Sequence, residues 1–255
     1  MKNIFESIIV TIAMFSKIPT PHIEWNKKNM KNVFVFFPFI GVVIGMIEYA
    51  WYLFYINHSL NSFFYAAIAS AIPILITGGI HLDGYADSCD AFFSYGDREK
   101  RLEILSDPNV GAFGVIYLIV YILGTLGAWS QISEMSLPWQ FFMIPYIVGR
   151  IIGGYFTKFV KPAKKTGLMM VFNNPGEKDS TAFFMIIWTI CICILMYTVS
   201  VWYMVINLVG IAVFMIVYTI YVNKNFGGFT GDLIGFSTSV TEMISLFALV
   251  LWGVN

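Results

Sequence analysis

Residues 62–90 read SFFYAAIASAIPILITGGIHLDGYADSCD, an apolar run that ends in two glycines and then in three aspartates. From 62 to 82 the run has the roughly 20 residues that a helix needs to cross a bilayer. Beyond it, Asp83, Asp87 and Asp90 recur at helical spacing and fall within an arc of about 60° on one helix face. Three carboxylates side by side repel one another. The simplest offset is a hard divalent cation, since Mg²⁺ takes oxygen ligands and shares them with substrate phosphates. The plainer alternative is a solvated helix face at a membrane boundary, but the triad with its glycine pair favours metal binding.

The rest of the chain has the composition of a membrane protein. Of its 255 residues 58% are hydrophobic, 18% aromatic and only 12% charged, and mean hydropathy is +0.75, far from the globular balance. A formal net charge of zero gives no reason to expect a nucleic-acid partner. Cys89, Cys191 and Cys193 provide no disulfide framework. Residues 1–20 carry charged breaks and no small-residue cleavage site, so they do not read as a removable signal.

Apolar runs of about 20 residues predict spans near 34–56, 62–82, 112–130, 138–157, 182–200, 203–222 and 236–253. The expected fold is therefore all-α, one integral membrane domain over residues 1–255 with seven transmembrane helices in a lipid bilayer. Residues 182–222 are nearly continuous apolar sequence, and two helices joined by a tight turn fit them better than one span of ~60 Å. Residues 4–18, interrupted by Glu6, Ser7, Ser16 and Lys17, predict an N-terminal interfacial helix, ended by Pro19 and Pro21. Homo-oligomerisation is left open.

With seven spans, Lys2, Lys17, Lys27, Lys28, Lys31, Arg98, Lys100, Arg101, Lys158, Lys161, Lys164, Lys165, Lys178 and Lys224 share one side. That is fourteen of the fifteen Lys and Arg residues. The positive-inside rule makes that side cytoplasmic, in a multi-pass protein of the cell membrane whose active site faces the cytoplasm. The opposite loops, 57–61 and 131–137, contain no Lys or Arg.

The polar clusters gather on this same side. His81, two residues before the triad, points about 160° away from Asp83 if the helix already includes it, and reads as a substrate-contacting or supporting group rather than a ligand. In residues 97–107, Glu99 and Glu103 alternate with Arg98 and Arg101 as in a solvated, salt-bridged helix. Asp107, at the helix end where the dipole disfavours an acid, is the better functional candidate. Gly227-Gly228 then lead to Thr230 and Asp232, the second glycine standing four residues before the aspartate, as Gly79 stands before Asp83. Both pairs suggest that the backbone there approaches something closely. Inside the spans, Arg150 and Glu242 are costly enough to be functional hypotheses. Arg150 either pairs with Glu242 or presents its fork to a phosphate, and Glu48 reads as structural.

Acid clusters, glycines and few fixed cations at a membrane face suggest a polyphosphate handled through a divalent ion, which can neutralise a diphosphate and orient an attacking hydroxyl. There is no Walker loop and no kinase motif set. The inferred reaction class is phosphotransfer from a nucleotide-activated substrate to an alcohol.

Residues 78–90, then 101–107 with Gly111 and Gly114, then 227–232 resemble the adenosylcobinamide-GDP ribazoletransferase family, also called cobalamin (5'-phosphate) synthases. The similarity extends to residues 18–21, residues 37–41 and Arg150. The resemblance implies a multi-span enzyme in which a ribose hydroxyl of α-ribazole, or of its 5'-phosphate, attacks the phosphate joined to the cobinamide arm of adenosylcobinamide-GDP. GMP leaves, and Mg²⁺ is required. Carried onto this chain, Asp83, Asp87, Asp90 and Asp232 would be catalytic and, with Glu242, hold metal. His81, Asp107, Arg150, Thr230 and the glycines at 78, 79, 227 and 228 would contact substrate. The chain departs from the family pattern at Ala91, a usual glycine; at Asn109, a usual arginine; and at Ser239, often glutamate.

Two other readings fit less well. A phospholipid-type alcohol phosphotransferase should carry an Asp-Gly-x-x-Ala-Arg run, whereas here Asp87 follows Ala86. A divalent-cation transporter should carry acids at mid-membrane in several spans, whereas most here crowd one edge.

Overall fold

The computed structural model describes residues 2–163, Phe172 and 181–253; Lys164, Lys165 and Lys178 lie outside them. Eleven helices make up these residues: α1 (Lys2–Phe15), α2 (Lys27–Met30), α3 (Val33–His58), α4 (Ser62–Thr77), α5 (Ile80–Phe93), α6 (Arg98–Ile104), α7 (Ala112–Ile132), α8 (Gln140–Phe159), α9 (Thr181–Val199), α10 (Val201–Phe226) and α11 (Gly231–Gly253). Helix is what the bilayer dictates, because every backbone polar group must find its partner within the segment.

Helices α3, α7, α9, α10 and α11 are each long and apolar enough to cross a membrane, and α4 with α5 makes a sixth candidate if the bent pair is one span. The chain is thus a multi-pass membrane bundle, but length and apolarity alone do not reach the expected seven. The segment read as 138–157 does form α8, yet fifteen of its twenty residues are buried. A helix surrounded by other helices rather than by lipid need not be apolar all round, and α8 carries Arg150 and three glycines. The pair α9–α10 turns as expected: Ser200 is extended, and its hydroxyl accepts from the Tyr203 amide at 3.3 Å. The 14-residue α1 is too short to cross. It buries Ile9 and Val10 and leaves Ile4 and Phe5 exposed.

The expected span at 62–82 is not continuous. Gly78 and Gly79 both take left-handed backbone, with φ of 66° and 77°, a conformation that costs residues with a Cβ. The Gly78 and Gly79 amides close α4 on the Ile74 carbonyl, and α5 leaves at 97° to it. The aspartate triad therefore sits on a separate helix, not on the prolongation of a span.

Close backbone crossings hold the bundle together. A Cβ at Gly41 would lie 2.6 Å from the Tyr146 carbonyl carbon, and one at Gly45 2.5 Å from the Met143 Cα, where α3 meets α8. On the other side of α8, a Cβ at Gly149 would fall 2.8 Å from Glu242 Cγ and one at Gly153 2.7 Å from Thr238 Oγ1. Both pairs have the small-xxx-small spacing that lets membrane helices approach when no hydrophobic force distinguishes lipid from protein. Gly41→Ala should therefore lower the melting temperature of the detergent-solubilised protein, by a loss of about 1–3 kcal/mol. Gly127→Ala, whose Cβ meets nothing within 4 Å, should not lower it; equal behaviour of the two variants would refute the crossing argument.

Candidate active site

One end of the bundle collects the ends of α4, α8 and α10 and the starts of α7 and α11, and α5 lies across them. The Lys17 amide donates to the Ile76 carbonyl at 2.7 Å, tying the end of the α1 segment to α4. The Phe229 amide donates to the Lys161 carbonyl, and the Ala163 amide to the Phe229 carbonyl, both at 2.8 Å, so the loop entering α11 pairs with the chain leaving α8. Of the basic residues read to one side, Lys17, Arg98 and Lys161 lie at this end.

The three aspartates of α5 are not equivalent. Asp83 is exposed, Asp87 half-buried and Asp90 buried. Asp90 Oδ2 accepts from the Gly111 amide at 2.7 Å and Oδ1 from the Gly114 amide at 2.9 Å. It caps α7 from a neighbouring helix, supplying the acceptor that Gly111 lacks. A Cβ at either glycine would lie 2.4 Å from an Asp90 oxygen, so these glycines are what admit the carboxylate.

Asp232 occupies the first turn of α11 and approaches α5 at Gly84, where a Cβ would meet the Asp232 carbonyl oxygen at 2.8 Å. Thr230 Oγ1 lies 3.5 Å from Asp232 Oδ2 and accepts from the Leu233 amide at 3.3 Å, starting the helix. Around Asp87, the charges of Asp83, Asp232 and Asp90 all act repulsively. The structure thus brings Asp232 to the triad. Asp83, Asp87 and Asp232 offer hard oxygen donors close to one another, a set that suits a hard cation. As they stand, no three His, Cys, Asp or Glu side chains among the described residues are already arranged around a metal position.

Glu242 is not part of this cluster. Ten residues beyond Asp232, it lies ~15 Å further along α11, and its Oε1 accepts from Arg150 Nη1 in a buried ion pair. One ion cannot touch both Asp232 and Glu242. Of the two readings of Arg150, the structure shows the pairing: Nη1 also donates to the Tyr146 carbonyl at 2.8 Å, and the side chain is fully buried. Tyr146 in turn donates its hydroxyl to Glu48 Oε1 at 2.9 Å, so Glu48, read as structural, belongs to the same buried polar ladder. His81 turns its Nε2 inward, where it is buried without a hydrogen-bond partner. It lines a small cavity of about 30 Å³ with Arg150, Glu242, Tyr146, Ser70 and Ser239, room for about one or two waters.

The first glycine of each pair is covered by a basic side chain. Lys17 lies on Gly78, where a Cβ would meet Lys17 Cε at 2.2 Å, and the Arg98 guanidinium lies on Gly227, where a Cβ would meet its Cζ at 2.1 Å. Arg101, read as part of a solvated helix, instead donates from Nη1 to the Ala91 and Phe92 carbonyls at 2.7 and 3.0 Å, closing the carboxyl end of α5. Glu103 does pair in solvent with Lys100 at 3.0 Å. Asp107 is exposed and accepts from the Asn109 amide at 2.9 Å and side chain at 2.8 Å. These bonds hold its carboxyl below the ordinary aspartate range. An open cleft of about 580 Å³ between α1, α5 and α7 contains Asp83, Lys17, Gly78 and Gly79.

The family model for cobalamin-5-phosphate synthase matches residues 7–250. The chain belongs to the cobalamin-5-phosphate synthase family. It is 36% identical to an adenosylcobinamide-GDP ribazoletransferase of Lachnoclostridium phytofermentans over 96% of this chain and 93% of that one. With proteins of the same description it is 33% identical in Clostridium botulinum, over 99% of this chain and 100% of the relative, and 31% identical in Listeria monocytogenes, over 97% and 99%. No solved structure matches. Within the cobalamin-5-phosphate synthase pattern, the three departures fall at distinct places: Ala91 is buried at the α5–α6 contact, Asn109 engages Asp107, and Ser239 lines the small cavity.

Two stability tests follow. Asp90→Ala leaves two helix-start amides without their acceptor and should cost about 1–2 kcal/mol, whereas exposed Asp83→Ala should stay within about 0.5 kcal/mol of the parent; thermal melts of the purified variants compare them. Arg150→Met alone strands the Glu242 carboxylate and should cost about 3–5 kcal/mol. Combined with Glu242→Leu it should recover much of that loss, and a double variant as unstable as the single one would contradict the pairing.

Proposed function

We propose that this chain transfers the cobinamide-phosphate moiety of adenosylcobinamide-GDP to α-ribazole or α-ribazole 5'-phosphate, releasing GMP and forming adenosylcobalamin or its 5'-phosphate. The match of residues 7–250 to the family, with relatives of that activity aligned along almost the whole chain, is the observation that carries this. The convergence of Asp232 on the triad of α5 supports it chemically.

In this reading, the ribose hydroxyl oxygen of the acceptor forms the new bond to the phosphorus that bears the cobinamide arm. The phosphoanhydride bond to GMP breaks, and the oxygen of that bond leaves with GMP. Asp87, half-buried among three other carboxylates, takes the hydroxyl proton on its carboxylate, which relieves like charge on three sides. Asp83 and Asp232 flank it. Asp90 holds the start of α7 against α5, and Arg101 holds the end of α5, so that the face carrying the acids is fixed before substrate arrives. Mg²⁺ is the cation proposed for Asp83, Asp87 and Asp232; when bound it would neutralise the diphosphate and stabilise the leaving phosphate. Thr230 would orient Asp232. The protein would lie in the cell membrane with this end toward the cytoplasm, which the grouping of Lys and Arg at the same end supports.

Membrane vesicles containing the protein, given adenosylcobinamide-GDP, α-ribazole and Mg²⁺, should release GMP and form the cobamide. Asp83→Asn and Asp87→Asn should lower that rate on the order of 10²-fold or more, and chelation should abolish it until Mg²⁺ is restored. No GMP release by the parent protein, or undiminished release by Asp83→Asn, would sink the assignment.

A further inference from the structure

We propose that Lys17 is a phosphate-binding residue of the open cleft, its ammonium holding the diphosphate of the nucleotide-activated corrinoid beside Asp83. The inference rests on the transferase reading for the identity of the substrate, while the site itself rests on the structure.

Lys17 is built into position. Its amide donates to the Ile76 carbonyl at 2.7 Å. Just before it, the Ser16 hydroxyl donates to the Ile12 carbonyl at 2.7 Å and accepts from the Ile18 amide at 3.3 Å, fixing the exit from α1. The stem then runs over Gly78: a Cβ there would lie 2.6, 2.9 and 2.2 Å from Lys17 Cγ, Cδ and Cε. Any other residue at 78 would push the side chain away, so the glycine serves two purposes, the left-handed turn and the passage of this lysine. The stem leads to the wall that Gly78 and Gly79 share with Asp83 in a cleft of about 580 Å³, a volume in the range of small-molecule sites. Met14, Ile80, Val110 and Leu118 add apolar wall beside the polar Ser16 and Thr77, a mixture that suits a large amphiphile.

Among the described residues this cation has no acid of its own: the ion pairs there are Lys100–Glu103 and Arg150–Glu242, so none of their carboxylate oxygens comes within 4 Å of the Lys17 amine. Asp83 shares its cleft without pairing with it. An exposed lysine whose stem lies over Gly78, beside a carboxylate it does not pair with, suits a ligand that carries its own negative charge. Phosphate oxygens meet that requirement, with Lys acting as a point charge. The same chemistry would take a lipid headgroup phosphate, because the cleft opens beside α1.

The test uses the whole chain in phosphatidylcholine vesicles and, in parallel, phosphatidylglycerol vesicles, with Mg²⁺ and three readouts: GDP binding, melting temperature, and turnover with adenosylcobinamide-GDP and α-ribazole each varied. Lys17→Gln should weaken GDP binding about 10- to 100-fold. It should raise the KM for adenosylcobinamide-GDP by a similar factor and leave the KM for α-ribazole unchanged. Lys17→Arg should stay within about threefold of the parent, and Gly78→Asn, which tolerates the left-handed backbone but displaces the lysine, should reproduce Lys17→Gln. Parent-like binding and KM in Lys17→Gln would overturn the proposal, as would a Lys17→Arg variant as impaired as Lys17→Gln, since that would mark a packing role. Unchanged GDP binding together with a melting temperature lowered only in phosphatidylglycerol vesicles would assign Lys17 to lipid headgroups and overturn it too. A parent protein that binds GDP through Lys17 but releases no GMP from adenosylcobinamide-GDP would sink the transferase reading and leave the site standing. No GDP binding by the parent would overturn the site.

Discussion

A charged pair enclosed in an apolar bundle constrains everything around it. Arg150 on α8 and Glu242 on α11 are buried together as an ion pair, so loss of either leaves the other an uncompensated buried charge. Such a pair contributes little net stability, because desolvation consumes most of the attraction; what it contributes is register. With Arg150 opposite Glu242, Gly149 and Gly153 face α11, Gly153 also meeting Phe37 of α3. The opposite face of α8 then meets Gly41 and Gly45 of α3. Fixing α11 along its length also fixes its amino end, where Asp232 reaches Gly84 of α5. The acid cluster at the edge of the bundle therefore depends on an ion pair ~15 Å away that does not belong to it.

The parts of the fold that were legible in the sequence are those governed by solvent. Apolar runs of bilayer length announced α3, α7, α9, α10 and α11, since lipid imposes the same demand on every outward face. The turn at Ser200 was legible because no single helix could be that long. Features governed by one helix meeting another were not. The bend after α4 was hidden because apolar periodicity continues through Gly78 and Gly79 into Ile80 and Leu82. The glycine pair reads in sequence as a close approach of backbone; Gly78 does lie under the Lys17 stem, but a Cβ at Gly79 would meet nothing within 4 Å, and the left-handed turn at both positions has no signal in the apolar pattern. The small-xxx-small spacings at 41 and 45 and at 149 and 153 were present as a signal and carried the α8 packing unread. Arg150 remained balanced between phosphate and Glu242 because spacing along the chain cannot say what faces a residue across a bundle. Lys17 looked like one of five basic residues before the first span, and only the contact with Gly78 sets it apart.

The equal helical spacing of Asp83, Asp87 and Asp90 suggested three equal ligands, and the packing of α5 shows why periodicity could not decide that. A helix laid obliquely against its neighbours buries one end of a face more than the other. Along this face exposure falls from Asp83 to Asp87 to Asp90, and the chemistry open to each carboxylate changes with it. Asp90, deepest, has both carboxylate oxygens occupied by the Gly111 and Gly114 amides, and so becomes part of the scaffold. Asp83, outermost, faces the cleft and can meet a ligand directly. Asp87 lies between, too buried to shed its neighbours' repulsion into water and too exposed to be captured as a cap. The three positions form a gradient of burial rather than a cage, and Asp232, delivered from α11 at Gly84, adds its carboxylate where the burial of Asp87 is incomplete.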